Sequence, residues 1–180
     1  MIRQPQRPTL FSHTTLFRSL ASDHGVAVIP PIWGAATVKT LAINAVMAGC
    51  LPEYLPVLIA AVEAIADPVF NLYAIQATTH PCAPLLIING PIREALGMNY
   101  SSGSFGPGWR ANATIGRAMR LVLLNVGGGY PGVGDMSTQG APSKFSYCVA
   151  ENEEENPWEP LHVERGFRPD QSAVDRKSVV

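Results

Sequence analysis

The chain has 180 residues, of which 47% are hydrophobic and 15% are charged, and its formal net charge is −1. This composition is typical of a globular domain with a sizeable core and excludes an intrinsically disordered chain. No apolar run reaches the roughly 20 residues that cross a bilayer, so no membrane partner is expected. Three cysteines without a regular spacing favour a reducing cytoplasm over a disulfide framework.

Both ends of the chain match the translation of one short-read sequencing adapter. "TTLFRS" at residues 14–19 is encoded by one strand of the adapter, and "DRKSVV" at 175–180 by its reverse complement. We therefore treat 1–19 and 175–180 as adapter-derived, assign 20–174 to a single domain, and expect missing sequence upstream. Leaving out these ends removes five of the 13 basic and one of the 14 acidic residues, so the net charge becomes −5. A domain this acidic argues against a nucleic-acid partner.

Between these ends, strand-like and helix-like segments alternate. Residues 26–31 predict a buried strand that ends at prolines, and 35–48 predict a buried helix that stops at Gly49. A second helix is predicted from Pro52 to residue 66 and a third over 109–126. Strands are predicted at 72–79, 83–90 and 144–151. This alternation predicts an α/β fold, with a single layered domain and a mixed sheet flanked by helices.

Cys50 is the candidate nucleophile. It lies between the predicted stop at Gly49 and the predicted start at Pro52, at the N-cap of the second helix. The positive end of a helix dipole lowers the pKa of a thiol and makes it more reactive. The alternative is a small apolar residue that fills a corner between two helices, which is also our interpretation of Cys82 and Cys148.

Polar residues gather in "QATTHP", where a predicted strand gives way to a loop. Open α/β sheets contact their ligands at such places, so Gln76, Thr78 and Thr79 are predicted to bind the substrate. His80 is the candidate general base for Cys50, and the alternative is a plain turn residue before a proline.

Two further polar residues end predicted strands, and the first of them either faces the same crevice or simply makes a turn. Asn89 ends the strand at 83–90 and is a candidate substrate ligand. Glu151 ends the strand that bears Cys148 and is the candidate catalytic carboxylate. The other carboxylates of "ENEEEN" are interpreted as solvated surface.

A glycine-rich loop precedes the helix predicted at 109–126. Gly106 and Gly108 allow the backbone to approach a ligand, and the helix N-terminus presents free N–H groups to an anion. Arg110 would oppose the helix dipole unless an anion lies between them, and Asn112 and Thr114 would add neutral hydrogen bonds. The alternative is a rigid loop in which Arg110 pairs with the acidic tail.

Basic and metal-ligating residues elsewhere carry no specific signal. Arg117 and Arg120, farther along the same helix, are interpreted as a solvated or paired face. No close spacing of cysteine and histidine supports a zinc site at Cys50, His80 and Cys148, so neither a metal nor another cofactor is predicted.

Five stretches together resemble a bacterial family associated with UGSC-type proteins, whose members carry a selenocysteine-or-cysteine motif. They are "NAVMAGCLPEYLPV", "QATTHP", "NGPI", "FGPGWRANATIGRA" and "ENEEENPWEPLHVERGF", and the resemblance covers nearly all of 26–167. It implies thiol-dependent chemistry in a bacterial cytoplasm. The chain has no Cys-Gly-Ser-Cys tetrad, so we expect that motif upstream or in a redox partner.

The sequence thus predicts a thiol-dependent enzyme domain that acts on a small anionic substrate. Cys50 would attack an electrophilic carbon with His80 as base, and the glycine-rich loop would hold the anion. Two alternatives stay open: a thiol-redox component that works with a selenocysteine or cysteine protein, and a non-catalytic subunit that binds an anionic ligand. Homo-oligomerisation also stays open.

Overall fold

The chain forms a four-stranded sheet and a separate two-stranded hairpin, with helices packed against both. This computed structural model describes residues 9–11 and 20–179. The strands are β1 (Thr9–Phe11), β2 (Gly25–Ile29), β3 (Gly34–Thr37), β4 (Ala83–Asn89), β5 (Cys148–Ala150) and β6 (Ser172–Val179). The helices are α1 (Val38–Ala48), α2 (Leu55–Ala66), α3 (Leu72–Ala77), α4 (Ile92–Ala95), α5 (Arg110–Asn125) and α6 (Leu161–Glu164).

The sheet has the order β1–β6–β4–β5 and mixes both strand directions. Strands β4 and β5 are parallel, whereas β6 is antiparallel to both of its neighbours. Strands β2 and β3 form the antiparallel hairpin. Helix α2 packs on β6 and β1, while α5 packs on β5 and α1. The predicted α/β class, with a mixed sheet flanked by helices, is confirmed.

Helix α1 begins three residues later than predicted, because Thr37 caps it. The Thr37 hydroxyl accepts the Thr40 N–H at 3.2 Å, and the Thr40 hydroxyl accepts the Thr37 N–H at 2.8 Å. This capping box starts the helix at Val38 and leaves 35–37 to pair with β2. The helix ends as predicted at Gly49, whose φ of 87° lies in the left-handed region that glycine adopts without strain.

Two of the predicted strands differ in the structure. The segment 72–79 contains helix α3, whose buried residues Leu72, Ile75 and Gln76 are three and four positions apart, as on one helix face. A six-residue apolar run is too short for periodicity to separate helix from strand, and the strand prediction was wrong. The strand predicted at 144–151 covers only Cys148–Ala150, because Pro142–Lys144 form a 3-10 turn before it.

Strand β6 occupies an interior position of the sheet and includes residues 175–179. It pairs with β4 along the whole of that strand and with β1 on its other side. Asp175 and Arg176 are buried here, and Arg176 Nη2 lies 3.4 Å from the Asp67 carboxylate. The structure therefore builds part of the sheet from residues that the sequence analysis left out of the fold. The adapter match at 14–19 lies outside the described residues.

Helix α2 contributes a large share of the core. Eight of its twelve residues are buried: Val57, Leu58, Ile59, Ala60, Ala61, Val62, Ala64 and Ile65. Within the described part of the chain, no single helix is long and apolar enough to cross a bilayer. The segments Pro52–Ala66 and Pro68–Ala77 meet that length and composition only as a pair bent by 66°.

Candidate functional site

An open cavity of about 900 Å³ lies between helix α5 and the segment 130–145 that follows it. Three cationic side chains line it: Arg117 and Arg120 from the helix, and Lys144 from the 3-10 turn. Its polar lining also includes Asp135, Ser137, Thr138 and Gln139. The apolar lining is Leu124, Tyr130, Pro131, Ala141, Pro142 and Phe145. The cavity thus combines these three cations, which we call the basic wall, with an apolar surface.

The local sequence explains why these residues meet. Arg117 and Arg120 are three positions apart on α5, so they project from the same face of the helix. After the helix ends at Asn125, three glycines let the chain turn back tightly against it. A Cβ at Gly129 would lie 2.6 Å from Gln76 Nε2, so a side chain there would push the returning segment away.

Asp135 holds the basic wall in place. It is buried, and its carboxylate accepts hydrogen bonds from Arg120 Nη2 at 2.5 Å, Lys144 Nζ at 2.8 Å and Ser137 Oγ at 2.7 Å. Burial by itself raises the pKa of Asp135, but the hydrogen bonds from Lys144, Ser137 and Arg120 outweigh it and lower the pKa from 3.8 to about 2. The carboxylate therefore stays ionised near neutral pH and is not a general acid or base there.

The cavity has an excess of positive charge. Its three cations face the single carboxylate of Asp135, which leaves two positive charges over. The Arg117 guanidinium carbon lies 4.0 Å from the centre of the Phe145 ring, a cation–π contact that holds this side chain at the cavity wall. A concave surface with such a charge raises the local concentration of small anions.

The segment "QATTHP" supports the cavity from behind. Gln76 is buried, and its Oε1 accepts a hydrogen bond from Arg120 Nη1 at 3.3 Å. The Thr79 carbonyl accepts one from the N–H of Thr138, which lines the cavity, at 3.1 Å. Thr78 Oγ1 accepts the His80 N–H at 3.2 Å, so Thr78 and His80 form a local turn in which His80 is exposed. The predicted ligand contacts at Gln76 and Thr79 are therefore contacts to residues of the cavity wall.

Cys50 lies elsewhere, beside the first turns of α5. Its thiol donates a hydrogen bond to the Thr114 carbonyl at 3.3 Å. Burial raises the pKa of the Cys50 thiol, and Thr114 and the charge of Arg110 offset only part of that rise. From an N-cap position we had predicted a lowered pKa, so the direction of the shift is opposite to that prediction. Cys50 is not the N-cap residue, because the residue directly before the 3-10 turn is Leu51. Among the described residues, no hydrogen bond or ion pair joins Cys50 to His80.

We expect iodoacetamide to alkylate Cys50 more slowly at pH 7 than it alkylates an unstructured thiol, because less thiolate is present. The Arg110→Gln substitution should slow the reaction further, since the Arg110 charge favours the thiolate. Peptide mass spectrometry of a pH series measures both rates, and the urea-unfolded chain is the control. Rapid alkylation of Cys50 below pH 8 would instead restore the N-cap thiolate hypothesis.

The glycine-rich loop is held by protein groups. The buried Asn112 side chain accepts the Asn99 N–H at 2.9 Å and donates to the carbonyls of Asn99 at 2.8 Å and Ser104 at 3.2 Å. Gly106 N–H donates to Gly103 O at 2.7 Å within the loop, and Gly108 is exposed. The amide of Asn112 therefore orders the loop, and the predicted role of Asn112 as a ligand contact is not what the structure shows.

Arg110 has a partner that the sequence analysis did not consider. Its Nε donates to the Gly49 carbonyl at 3.0 Å, at the C-terminal end of α1. A cation there complements the negative end of that helix dipole, which offsets the unfavourable position of Arg110 on its own helix. The Thr114 hydroxyl donates to the Arg110 carbonyl at 2.8 Å, one turn back along α5. Arg110 thus joins two helix ends and does not pair with the acidic tail.

Asn89 and Glu151 meet at the carboxyl ends of β4 and β5. Asn89 Nδ2 donates to Glu151 Oε2, and Glu151 also accepts hydrogen bonds from Asn156 Nδ2 and Leu161 N, both at 2.9 Å. Both carboxylate oxygens of Glu151 are therefore engaged in holding the segment after β5. The structure does not bring this pair together with Cys50 and His80.

The acidic stretch is tied to the fold more firmly than a solvated surface would be. Arg93 is buried, and its guanidinium lies 3.1 Å from Glu153 Oε1 and 2.9 Å from Glu154 Oε1. Glu153 Oε1 also accepts the Gly90 N–H at 2.6 Å. The interpretation as solvated surface was wrong for Glu153, whose side chain is only 12% exposed, whereas the Glu154 side chain is 51% exposed.

The cavity was not predicted from the sequence, because its charged residues come from two separate segments, α5 and 130–145. Arg117 and Arg120 were recognised only as a solvated or paired face, and Arg120 is indeed paired. A usable signal was the position of Arg120 directly before the apolar residues 121–124, since a cation that is buried there needs an anion beside it. Nothing in the local sequence identifies that anion as Asp135.

Within the described part of the chain, no three His, Cys, Asp or Glu side chains come together as a metal site. Comparisons of this chain with protein-family models, curated proteins and solved structures find no match.

Proposed function

We propose that this domain binds a small anionic molecule in the cavity between α5 and the segment 130–145. The observation that carries the proposal is the excess of two positive charges in the lining of an open cavity. Lys144 and Arg120 are held by Asp135, while Arg117 has the Phe145 ring as its partner. Arg117 is therefore the cation with the most freedom to meet a ligand carboxylate or phosphate.

Binding without catalysis is the role that these contacts favour. The two side chains that the thiol hypothesis requires, Cys50 and His80, are not among the residues that line the cavity. Asp135 is held as a carboxylate by two cations, so it does not exchange protons near neutral pH. This matches the third of the functions predicted from the sequence, a subunit that binds an anionic ligand.

Thiol-dependent chemistry at Cys50 is the second candidate function. What favours it is the charge of Arg110, which lowers the pKa of Cys50 against the larger effect of burial. The UGSC-type resemblance and a redox partner belong with this candidate. We place either function in the cytoplasm, because Cys50, Cys82 and Cys148 are all free thiols.

Anion binding is tested by calorimetric titration of the whole chain with inorganic phosphate, succinate and benzoate. We expect at least one of them to bind, and Arg117→Gln to weaken it about 10- to 100-fold, as loss of one charge-assisted contact would. Arg168→Gln is the matched control, because Arg168 is paired with Asp170 on the exposed surface and should leave affinity unchanged. Equal affinity in wild type and Arg117→Gln would refute the cavity as the site.

A further inference from the structure

The rim of the cavity exposes two large aromatic side chains. Tyr130 is 50% exposed and Phe145 is 64% exposed, although both rings line the cavity. Leu124, which is partly buried, and Pro142, which is exposed, add apolar surface to the same cavity lining. Contiguous apolar surface of this kind, bordered by charges, marks a binding surface more often than a solvated one.

The basic residues and the aromatic residues that line the cavity lie close together. Phe145 directly follows the 3-10 turn that carries Lys144, and the Arg117 guanidinium lies over the Phe145 ring at 4.0 Å. A ligand that reaches the Arg117 guanidinium with its anionic group therefore has its remaining atoms beside the Phe145 ring. The basic wall and the aromatic rim would bind different ends of one molecule.

We infer that the anion bound here carries a planar apolar body, and that its class is that of the aromatic carboxylates. This inference rests on the proposed function and narrows it. A planar carboxylate fits the fork of an arginine side chain, and an aromatic ring gains offset stacking against Phe145 and Tyr130. The cavity of about 900 Å³ is also within the roughly 300–1,000 Å³ that organic ligands occupy, far larger than an inorganic ion needs.

The test is calorimetric titration of the whole chain with 2-naphthoate, acetate, inorganic phosphate and 2-naphthalenemethanol. We expect 2-naphthoate to bind at least 10-fold more tightly than acetate or phosphate, and more tightly than the uncharged alcohol. Phe145→Ala should weaken 2-naphthoate at least fivefold and weaken acetate by a smaller factor, because both probes lose the ring that holds Arg117 but only 2-naphthoate also loses a stacking partner. The exposure of Phe145 makes this substitution compatible with folding. Trp158→Ala, at an aromatic residue that is 79% exposed away from the cavity, is the matched control and should change nothing.

The possible contrary results distinguish a failure of the aromatic-carboxylate class from a failure of anion binding in the cavity. Acetate or phosphate binding as tightly as 2-naphthoate would overturn the aromatic class and leave anion binding intact. The alcohol binding as tightly as 2-naphthoate would overturn both, because the charge would then contribute nothing. If none of the four probes binds at millimolar concentration, both also fall. An unchanged 2-naphthoate affinity in Phe145→Ala would overturn the placement of the body at the aromatic rim.

Discussion

Asp135→Asn is expected to lower the free energy of unfolding by about 3 kcal/mol or more, because it leaves two buried cations without their carboxylate. The side chains of Arg120 and Lys144 are only 10% and 9% exposed, so water can replace little of the ion pairing that these two cations lose. Asparagine has the size of aspartate, so the substitution removes charge and leaves packing unchanged. Urea unfolding followed by circular dichroism measures the difference.

The same carboxylate makes stability depend on pH. Its pKa is lowered on folding from 3.8 to about 2, so it stabilises the fold above pH 3.8 and loses this contribution as the pH falls towards 2. The lost contribution amounts to about 2 kcal/mol, and Asp135→Asn should abolish this part of the acid dependence. Asp170→Asn is the control, because Asp170 and its partner Arg168 are both 71% exposed and solvent screens the attraction between them. If Asp135→Asn and Asp170→Asn lower the free energy of unfolding equally, then the burial of Asp135 does not matter.

Gly90→Ala is expected to cost about 3 to 4 kcal/mol, since it combines backbone strain with a steric collision. Gly90 has a φ of 80°, and a Cβ there would lie 2.1 Å from the Gln171 carbonyl oxygen and 2.8 Å from Ser172 Cα. Both contacts are with backbone at the start of β6, which pairs with β4 and has little freedom to move. The measurement is again the midpoint and slope of urea unfolding.

Gly97→Ala separates the two causes. Gly97 has a similar positive φ of 61°, but a Cβ there would have no atom within 4 Å. Its substitution should cost only the backbone strain, about 1 to 2 kcal/mol. If Gly90→Ala costs no more than Gly97→Ala, then β4 and β6 do not approach each other as closely as the structure shows.

The elements that the sequence predicted well are those with local signals at their ends. Gly49 stops α1 and Pro52 begins the next helical turn, as the preferences of glycine and proline require. Strand β4 was predicted from a short, continuously apolar run, and helix α5 from a run that is apolar in its second half. The start of α1 has a local signal that the prediction did not use, the capping box of Thr37 and Thr40. The identity of α3 depends on which of its side chains are buried, and a short apolar run does not contain that information.

The candidate site was predictable only in part. Gln76 and Thr79 contact residues of the cavity wall and do not line the cavity themselves, so their role in ligand binding stays a prediction. The glycines at 127–129 indicate a turn after α5, but nothing in the local sequence shows that Asp135 is the side chain that reaches Arg120. Arg110 was misinterpreted for the same reason, since its partner Gly49 is 61 positions away.

The position of β6 bears on the order in which the protein can assemble during synthesis. Residues 172–179 fill the gap between β1 and β4, so strands from the two extremes of the described chain are adjacent in the finished sheet. Before these residues leave the ribosome, β4 has only the short strand β5 beside it, and its other edge is unpaired. An exposed strand edge of this kind can pair with a second nascent chain. We therefore expect the nascent protein to depend on shielding of that edge until translation has passed β6, and folding to be slow for its size.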